Sequence, residues 1–345
     1  MSESATRPRV SIIIVTWNAL PLLQQCLPSV VATNYPNLEI ILADNASSDG
    51  TVNWVREHFP SVKIVQHPEN WKFCRGNNEA IAHASGEYVM LLNNDVEVPP
   101  GWMDPLVETL EDDAGVAAVQ PKLLQHQDRD RFEYAGGAGG HLDLLGYPFT
   151  RGRIFFELEK DAGQYDDAQD VFWATGAALL LRRSALDEVG LLDERFVMHM
   201  EEIDLCWRLQ RSGWRVRAEP ASEVYHIGGA SLPQHDPQKA YHNFRNSLLT
   251  FYKNLPPRWW RVLFPLRVAL DAAALARAAF GGHPGEAHAI ARAYRDAHRM
   301  RRHYRAQRPG PNEPTVLPSY RGRVVFDHFV RGRQRFSELS TWLFR

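Results

Sequence analysis

The sequence has few cysteines, no long apolar run and neither of the common phosphate-binding glycine loops. Cys26, Cys74 and Cys206 stand apart with no C-x-x-C pair. That excludes a cysteine zinc site and a disulfide framework, and fits a reducing, cytoplasmic setting. The opening MSESATRPRV lacks the apolar core of a secretion signal, and the SIIIV behind it is too short for one. No segment reaches the roughly 18 uninterrupted apolar residues of a membrane span. The best, VLFPLRVALDAAALARAAF over 262–280, is broken by Arg267, Asp271 and Arg277. No G-x-G-x-x-G follows the first apolar run and nothing matches G-x-x-x-x-G-K-[ST], so dinucleotide and P-loop sites drop out. No internal repeat is visible.

What remains is ordinary for a globular chain: 345 residues, 44% apolar and 23% charged. That length holds one large α/β domain with an appendage. The net charge of −2 hides a split. Residues 253–345 carry 18 basic and 6 acidic side chains, a balance of +12, against 21 and 35 in 1–252, a balance of −14. A basic tail on an acidic body is expected to meet something anionic, or to be a solvated helical surface. Nucleic acid is not expected, because no recognised binding module accompanies the charge.

VSIIIV (10–15) and LEIILA (38–43) read as buried strands, with helical spacing in LPLLQQCLPSVVAT between them, punctuated by Pro21 and Pro28. ASSDGTVNWVREHF opens with capping residues and continues as an amphipathic helix. A strand VKIVQ (62–66), a loop, a helix around Asn77–Ala84 and the strand YVMLL follow. This alternation predicts an α/β fold with a doubly wound, mainly parallel sheet. The Gly-rich 134–156 reads as loops. FWATGAALLLRRSAL gives a strand into a helix, and EEIDLCWRLQRSGW another helix. From Pro256 the composition shifts to Ala, Arg and His at helical spacing, which places a boundary near Leu255-Pro256-Pro257.

Open α/β sheets bind ligands beyond the carboxyl ends of their strands. Four polar clusters fall there: Thr16-Trp17-Asn18, Asp44-Asn45, Asn70 to Asn78, and Asn93-Asn94-Asp95. One acid at a strand end can be a helix cap, and Asp49 reads as one. Four clusters on one edge point to a ligand. Asp44 can accept from a base imide, and Asp95 can take a hard divalent cation if diphosphate oxygens and a second protein site complete the shell. His226, ahead of Gly228-Gly229, is a candidate for that second site.

On the helix 201–211, Asp204, Arg208 and Arg211 gather near one side, an expected exposed and salt-bridging face with Asp204 and Arg208 at i,i+4. Glu202 falls among Leu205, Cys206 and Leu209. A carboxylate aimed at the core is costly unless used, and desolvation would raise its pKa toward that of a general base. The alternative is an acid capping the helix start.

Together, SIIIVTWNA, LADNASSDGT, LLNNDVEVPPGW, ATGAALLLRR, GLLDERF and EEIDLCWRLQRSGW resemble the inverting family 2 glycosyltransferases of GT-A fold, over about Val10 to Leu255. GYPFTRGRIF, FWATGA and HMEEIDLCWR are similar to a bacterial subgroup that includes rhamnosyltransferases. The resemblance implies a catalytic domain over 1–255, with a nucleotide half (about 10–100) and an acceptor half (about 101–255). A basic, mainly helical C-terminal extension follows over 256–345. It implies a nucleotide-sugar donor, dTDP- or UDP-linked and dTDP-rhamnose among them, and a glycan or lipid-linked acceptor in cell-surface polysaccharide synthesis.

Asn93-Asn94-Asp95 stands at the family's D-x-D, so Asp95 carries the carboxylate contact to Mg²⁺ or Mn²⁺, with His226 and Asn93 as further ligands. Thr16, Asn18, Asp44, Asn45, Arg75, Asn78 and Asn94 fall at nucleotide-side positions. Glu201-Glu202 replaces a Glu-Asp pair, which makes Glu202 the implied base and Glu201 the second choice. Trp173, Thr175, Gly176 and Trp207 are acceptor-side candidates, the aromatics equally readable as core. Lys72 stands where the family has Gly, and Lys72 and Arg75 offer phosphate contacts or sit in solvent.

A processive synthase would carry Q-x-x-R-W, but LPPRWW has Leu255 in place of Gln. From a different class, a non-catalytic sugar-nucleotide or glycan-binding module fits the single-acid motif. The tail helices, with Arg faces and aromatic anchors, are expected to dock the chain peripherally on the anionic inner face of the cytoplasmic membrane, or to form a packed subdomain or a homodimer interface.

Overall fold

The computed structural model describes residues 7–228, 236–310, 313 and 315–344. Its first hundred residues alternate as the sequence predicts: β1 (Val10–Thr16), α1 (Leu20–Val31), β2 (Leu38–Asp44), α2 (Thr51–His58), β3 (Lys63–Gln66), α3 (Lys72–Ile81) and β4 (Tyr88–Asn93). Pro21 stands in the first turn of α1, where a missing N–H costs nothing, and the helix runs on through Pro28. The third helix starts at Lys72 rather than near Asn77, because the Asn70 side chain accepts the Lys72 N–H at 3.0 Å and starts it early.

The chain continues through β5 (Val96–Glu97), α4 (Met103–Asp112), β6 (Val116–Gln125) and β7 to β10 (Gly140–Leu142, Pro148–Thr150, Arg153–Ile154 and Glu157–Leu158). After β11 (Gln169–Asp170) come β12 (Ala178–Arg182), α5 (Arg183–Val189), α6 (Glu201–Arg211) and β13 (Arg215–His226). The helices α7 (Pro237–Asn254), α8 (Pro257–Phe280), α9 (Pro284–Met300) and α10 (Val324–Phe329) complete it.

Among the described residues the central sheet has nine strands in the order β11-β13-β6-β12-β4-β1-β2-β3, with β5 against β13. It is mainly parallel, with β12 inserted antiparallel between β4 and β6. Alternate residues of each strand feed opposite faces, as a period of two demands. Ile12 and Ile14 of β1, with Met90 and Leu92 of β4, enter one apolar cluster. Ile13, Leu91 and Leu179 enter the other.

The Gly-rich segment is not loop throughout: β7 to β10 form a four-stranded antiparallel sheet. Strands of two or three residues carry no readable period. Gly140 is needed there, since a Cβ would lie 2.1 Å from the Trp173 ring. Pro256 and Pro257 separate α7 from α8. Beyond them, Leu263, Ala297 and Tyr304 share one apolar cluster with Leu205 of α6 and Leu249 of α7. Within it, Arg267 pairs with Asp271 at 2.9 Å and donates to the Leu145 carbonyl and the Ser247 hydroxyl. Asp271 also accepts from Tyr147 and Tyr294. α8 and α9 are joined to α7 and to the segment between β7 and β8 by buried polar groups as well as by apolar area.

Candidate active site

The register places the predicted strand-end residues on one edge. Thr16 lies opposite Asp44 and Val15 opposite Asn93, at the carboxyl ends of three parallel strands. The antiparallel β12 brings its start to the same edge, and the Asn93 N–H donates to Ala177 at 2.9 Å. β13 ends there too, with His226 opposite Val96. Polar contacts stitch the edge together. Asn94 donates to the Thr16 hydroxyl at 3.1 Å, and Asn45 to the Lys72 carbonyl at 3.2 Å. Asn45 keeps a buried oxygen without a partner. Both oxygens of the buried Asp44 accept the Ser47 N–H.

Asp95 and His226 form a buried pair, Oδ1 to Nε2 at 3.0 Å, with Asn93 Nδ2 3.4 Å from the same ring nitrogen. Glu133 lies 3.2 Å from His226 Nδ1. Burial alone would raise the Asp95 carboxyl, but His226 outweighs it and holds the group below the ordinary carboxylate range. Burial would lower the His226 imidazole, yet Glu133 and Asp95 push it up to about 10.

At the start of α6, Glu201 is buried and Glu202 partly buried, each with a carboxylate oxygen that finds no partner. Burial pushes Glu202 up to about 7, countered in part by the N–H groups of the first turn. Burial and the neighbouring Glu202 push Glu201 well above the usual range. No side chain caps this helix. Gly176 faces Glu202, with a Cβ built there 3.7 Å from that of Glu202 and 3.4 Å from Phe73.

The segment leading into α6 is strained. Val197 (φ 70°, ψ −59°) centres a tight turn closed by the Met198 N–H on the Phe196 carbonyl at 2.8 Å, a rare conformation for a β-branched residue. His199 and Met200 also have positive φ. Asn246 of α7 holds them: its amide donates to the carbonyls of Phe196, Met198 and His199 at 3.0, 2.8 and 2.7 Å. Arg245 adds bonds to Arg195 and Phe196. The Cys74 N–H donates to Val197, tying α3 to the same turn.

The profile of Glycosyl transferase family 2 matches residues 11–190. The chain is 30% identical over 276 residues to the N-acetylglucosaminyl-diphospho-decaprenol L-rhamnosyltransferase of Mycobacterium tuberculosis, covering 75% of this chain and 88% of that protein. The O-antigen biosynthesis protein RfbC of Myxococcus xanthus is 31% identical over 249 residues, 69% of this chain and 19% of that protein. This chain belongs to glycosyl transferase family 2. Two solved structures share the fold. One is GalNAc-T7 with UDP, GalNAc and Mn²⁺ (TM-score 0.58, 16% identity, 74% of this chain and 49% of that one). The other is the mannosyltransferase PcManGT of Pyrobaculum calidifontis with GDP-Man and Mn²⁺ (0.52, 20%, 88% and 84%).

The residues of this glycosyltransferase suit a divalent cation held jointly with a ligand. Among the described residues no three His, Cys, Asp or Glu side chains are arranged to hold a metal alone. Asp95 and His226 would offer it a carboxylate and an imidazole 3.0 Å apart, and the Glu133 carboxylate lies 3.2 Å from the far ring nitrogen of His226. Sequence reasoning missed Glu133 and Asn246. Gly229, the second glycine after His226, lies outside the described residues.

Several expected roles shift. Trp173 and Trp207 are core side chains, their indole N–H groups spent on the carbonyls of His141 and Val316, so neither can stack on a sugar. Thr175 is buried too, its hydroxyl accepting the Ala177 N–H. Asn78 is spent on Leu192 and Glu194, and Asn18 bridges two loops through Ser47 and Ser48. Arg75 lies 3.9 Å above the Trp71 ring and pairs with Glu79. Lys72, at φ 60°, sets its ammonium 5.1 Å over the exposed Trp17 ring, at the rim of the site. The expected exposed face of α6 is buried: Asp204 pairs with Arg208 and also with Lys253 and Asn254 of α7. Asp49 accepts the N–H groups of Leu20 and Thr51, the first residues of α1 and α2, while Gly50 holds the N-cap position of α2.

Proposed function

We propose that this glycosyltransferase moves L-rhamnose, or a related sugar, from a dTDP- or UDP-linked donor to a hydroxyl of a lipid-linked or glycan acceptor, with inversion. The observation that carries this reading is the unpartnered, partly buried Glu202 carboxylate at the start of α6, beside Gly176 just ahead of β12. The name of the Mycobacterium tuberculosis relative supports rhamnose and a lipid-diphosphate acceptor. Residues 10–100 hold the nucleotide, with Asp44 and the spare oxygen of Asn45 facing its base and ribose, and 101–255 hold the acceptor.

Glu202 takes the proton from the acceptor hydroxyl, whose oxygen attacks the anomeric carbon opposite the leaving nucleotide. The missing side chain at Gly176 leaves room for that hydroxyl beside the base. Asp95 and His226, with Asn93 beside them, would hold Mg²⁺ or Mn²⁺. When bound, the cation offsets charge on the leaving diphosphate.

The test is a panel of dTDP, UDP, GDP and CMP, each titrated with and without Mn²⁺. Turnover of the sugar form of the best binder follows, with the product anomer read by NMR. Tight, Mn²⁺-dependent binding of dTDP or UDP and an inverted product are expected. A retained anomeric configuration overturns the mechanism. Binding without turnover on any acceptor would leave a sugar-nucleotide-binding module instead.

A further inference from the structure

The helix α8 is apolar on both sides: Leu263, Phe264 and Leu270 pack inward, and a second apolar stripe faces water. Its inner side carries the buried Arg267–Asp271 pair, while Val262, Leu266, Ala269, Ala273 and Phe280 face outward. Val262 is 64% exposed, Leu266 43% and Phe280 93%. Their spacing keeps them on one stripe along a helix about 36 Å long. Such a stripe normally faces a core or an apolar partner. Nothing in the described chain covers it.

The charge around this stripe has one sign. Arg258, Arg261 and Arg277 are exposed on α8, whose single acid, Asp271, is buried. At its N-terminal end opens a cleft of about 850 Å³, walled by Tyr252 and Trp260 and rimmed by Arg299, Arg301, Arg302, Arg305 and Arg308. Arg308 lies over both aromatic rings. Arg261 and Arg301 stand close enough to add to the burial that lowers its basicity. Of the nearby acids, Asp296 is shared by Arg295 and Arg299, and Glu313 is taken by Arg211. The cluster is a cationic surface in need of anions.

We propose that the outer face of α8, with the arginine cleft at its end, docks this protein onto an anionic phospholipid bilayer. The stripe lies in the interface plane and the arginines take lipid phosphates. The helix rests on the membrane rather than spanning it: no described helix is long and apolar enough to cross. A second copy fits less well. Pairing α8 with itself brings Arg258 and Arg261 toward a partner's arginines with no exposed acid on the helix to answer them.

The inference stands on α8 and the cleft, independent of the transfer reading, so its test needs neither donor nor acceptor. The full chain is floated with vesicles of phosphatidylcholine alone or mixed with phosphatidylglycerol, at low and high salt. Two double variants accompany it, Val262→Glu with Leu266→Glu and Arg302→Glu with Arg305→Glu. The wild type is expected to float only with the anionic vesicles, less so at high salt. Each variant should bind at least about tenfold more weakly, with circular dichroism and nucleotide affinity unchanged. No flotation of the wild type, or equal flotation of all three proteins, overturns the proposal. So does a concentration-dependent dimer that dissociates in the Val262→Glu, Leu266→Glu variant without any vesicle binding, which would give the face to a second copy.

Discussion

Residues 10–100 and the C-terminal helices spend polar residues differently. In residues 10–100 the polar groups stand at the ends of buried strands, and Asp44 and Asn45 keep capacity for a ligand. In α7 and α8 the buried polar groups, the Thr250 hydroxyl aside, are spent on the protein itself. Asn246 serves three carbonyls of one strained turn, Lys253 bridges Asp193 and Asp204, and Arg267 is saturated by Asp271, Leu145 and Ser247. One region keeps polar capacity free, and the other spends it on holding the turn before α6.

Removing groups from the two regions should therefore fail in different ways. The largest effect expected is on stability: Asp271→Ala leaves Arg267 buried without its carboxylate. That should cost about 3–5 kcal/mol and lower the melting temperature by roughly 10 °C, read by calorimetry, with turnover per folded molecule unchanged. Asp95→Ala should weigh on function instead, with a smaller loss of stability because Glu133 still faces His226. Turnover should fall about 10²–10³-fold, and titration calorimetry should find that nucleotide binding no longer responds to Mn²⁺.

Asn246→Ala, in α7, should show an intermediate effect. It frees the turn of Phe196 to His199, so steady-state kinetics should show kcat reduced about 10–100-fold with the donor KM nearly unchanged, because alignment of Glu202 is lost and not contact with the nucleotide. The smallest effect belongs to Lys72→Gly. Relief of a positive φ should raise stability by about 1 kcal/mol in urea melts, at the cost of the ammonium over Trp17.

Much of residues 10–100 was legible in the sequence, because period and position carry it. VSIIIV and LEIILA are apolar on both faces, and a polar residue that stops such a run must lie at an edge. The motif resemblance and the helical wheel agreed on Glu202 for separate reasons, burial among Leu205, Cys206 and Leu209 being one. The same wheel misjudged Asp204, since a wheel shows a face without its partner, and Lys253 and Asn254 arrive from some fifty residues away. Trp173 and Trp207 look alike as sugar platforms or core until their N–H partners are seen. Asn246 gave one weak signal, a polar pair with Arg245 on an otherwise packed helix. The turn it holds is set by backbone angles that composition does not encode.

The central claim is that Glu202 is the base, and the most direct test compares the wild type with Glu202→Gln in donor turnover, donor binding and thermal stability from pH 5 to 9. Burial raises this carboxyl to about 7, so wild-type kcat/KM should climb with pH and level off above about 7. A carboxyl raised by folding keeps its proton longer in the folded state, so its stability contribution falls as pH rises from the ordinary carboxylate range to about 7. Glu202→Gln should therefore bind donor like the wild type, lose about 10²–10⁴-fold in turnover, and gain stability relative to it at high pH. A Gln variant that turns over normally with the same pH profile would contradict the account.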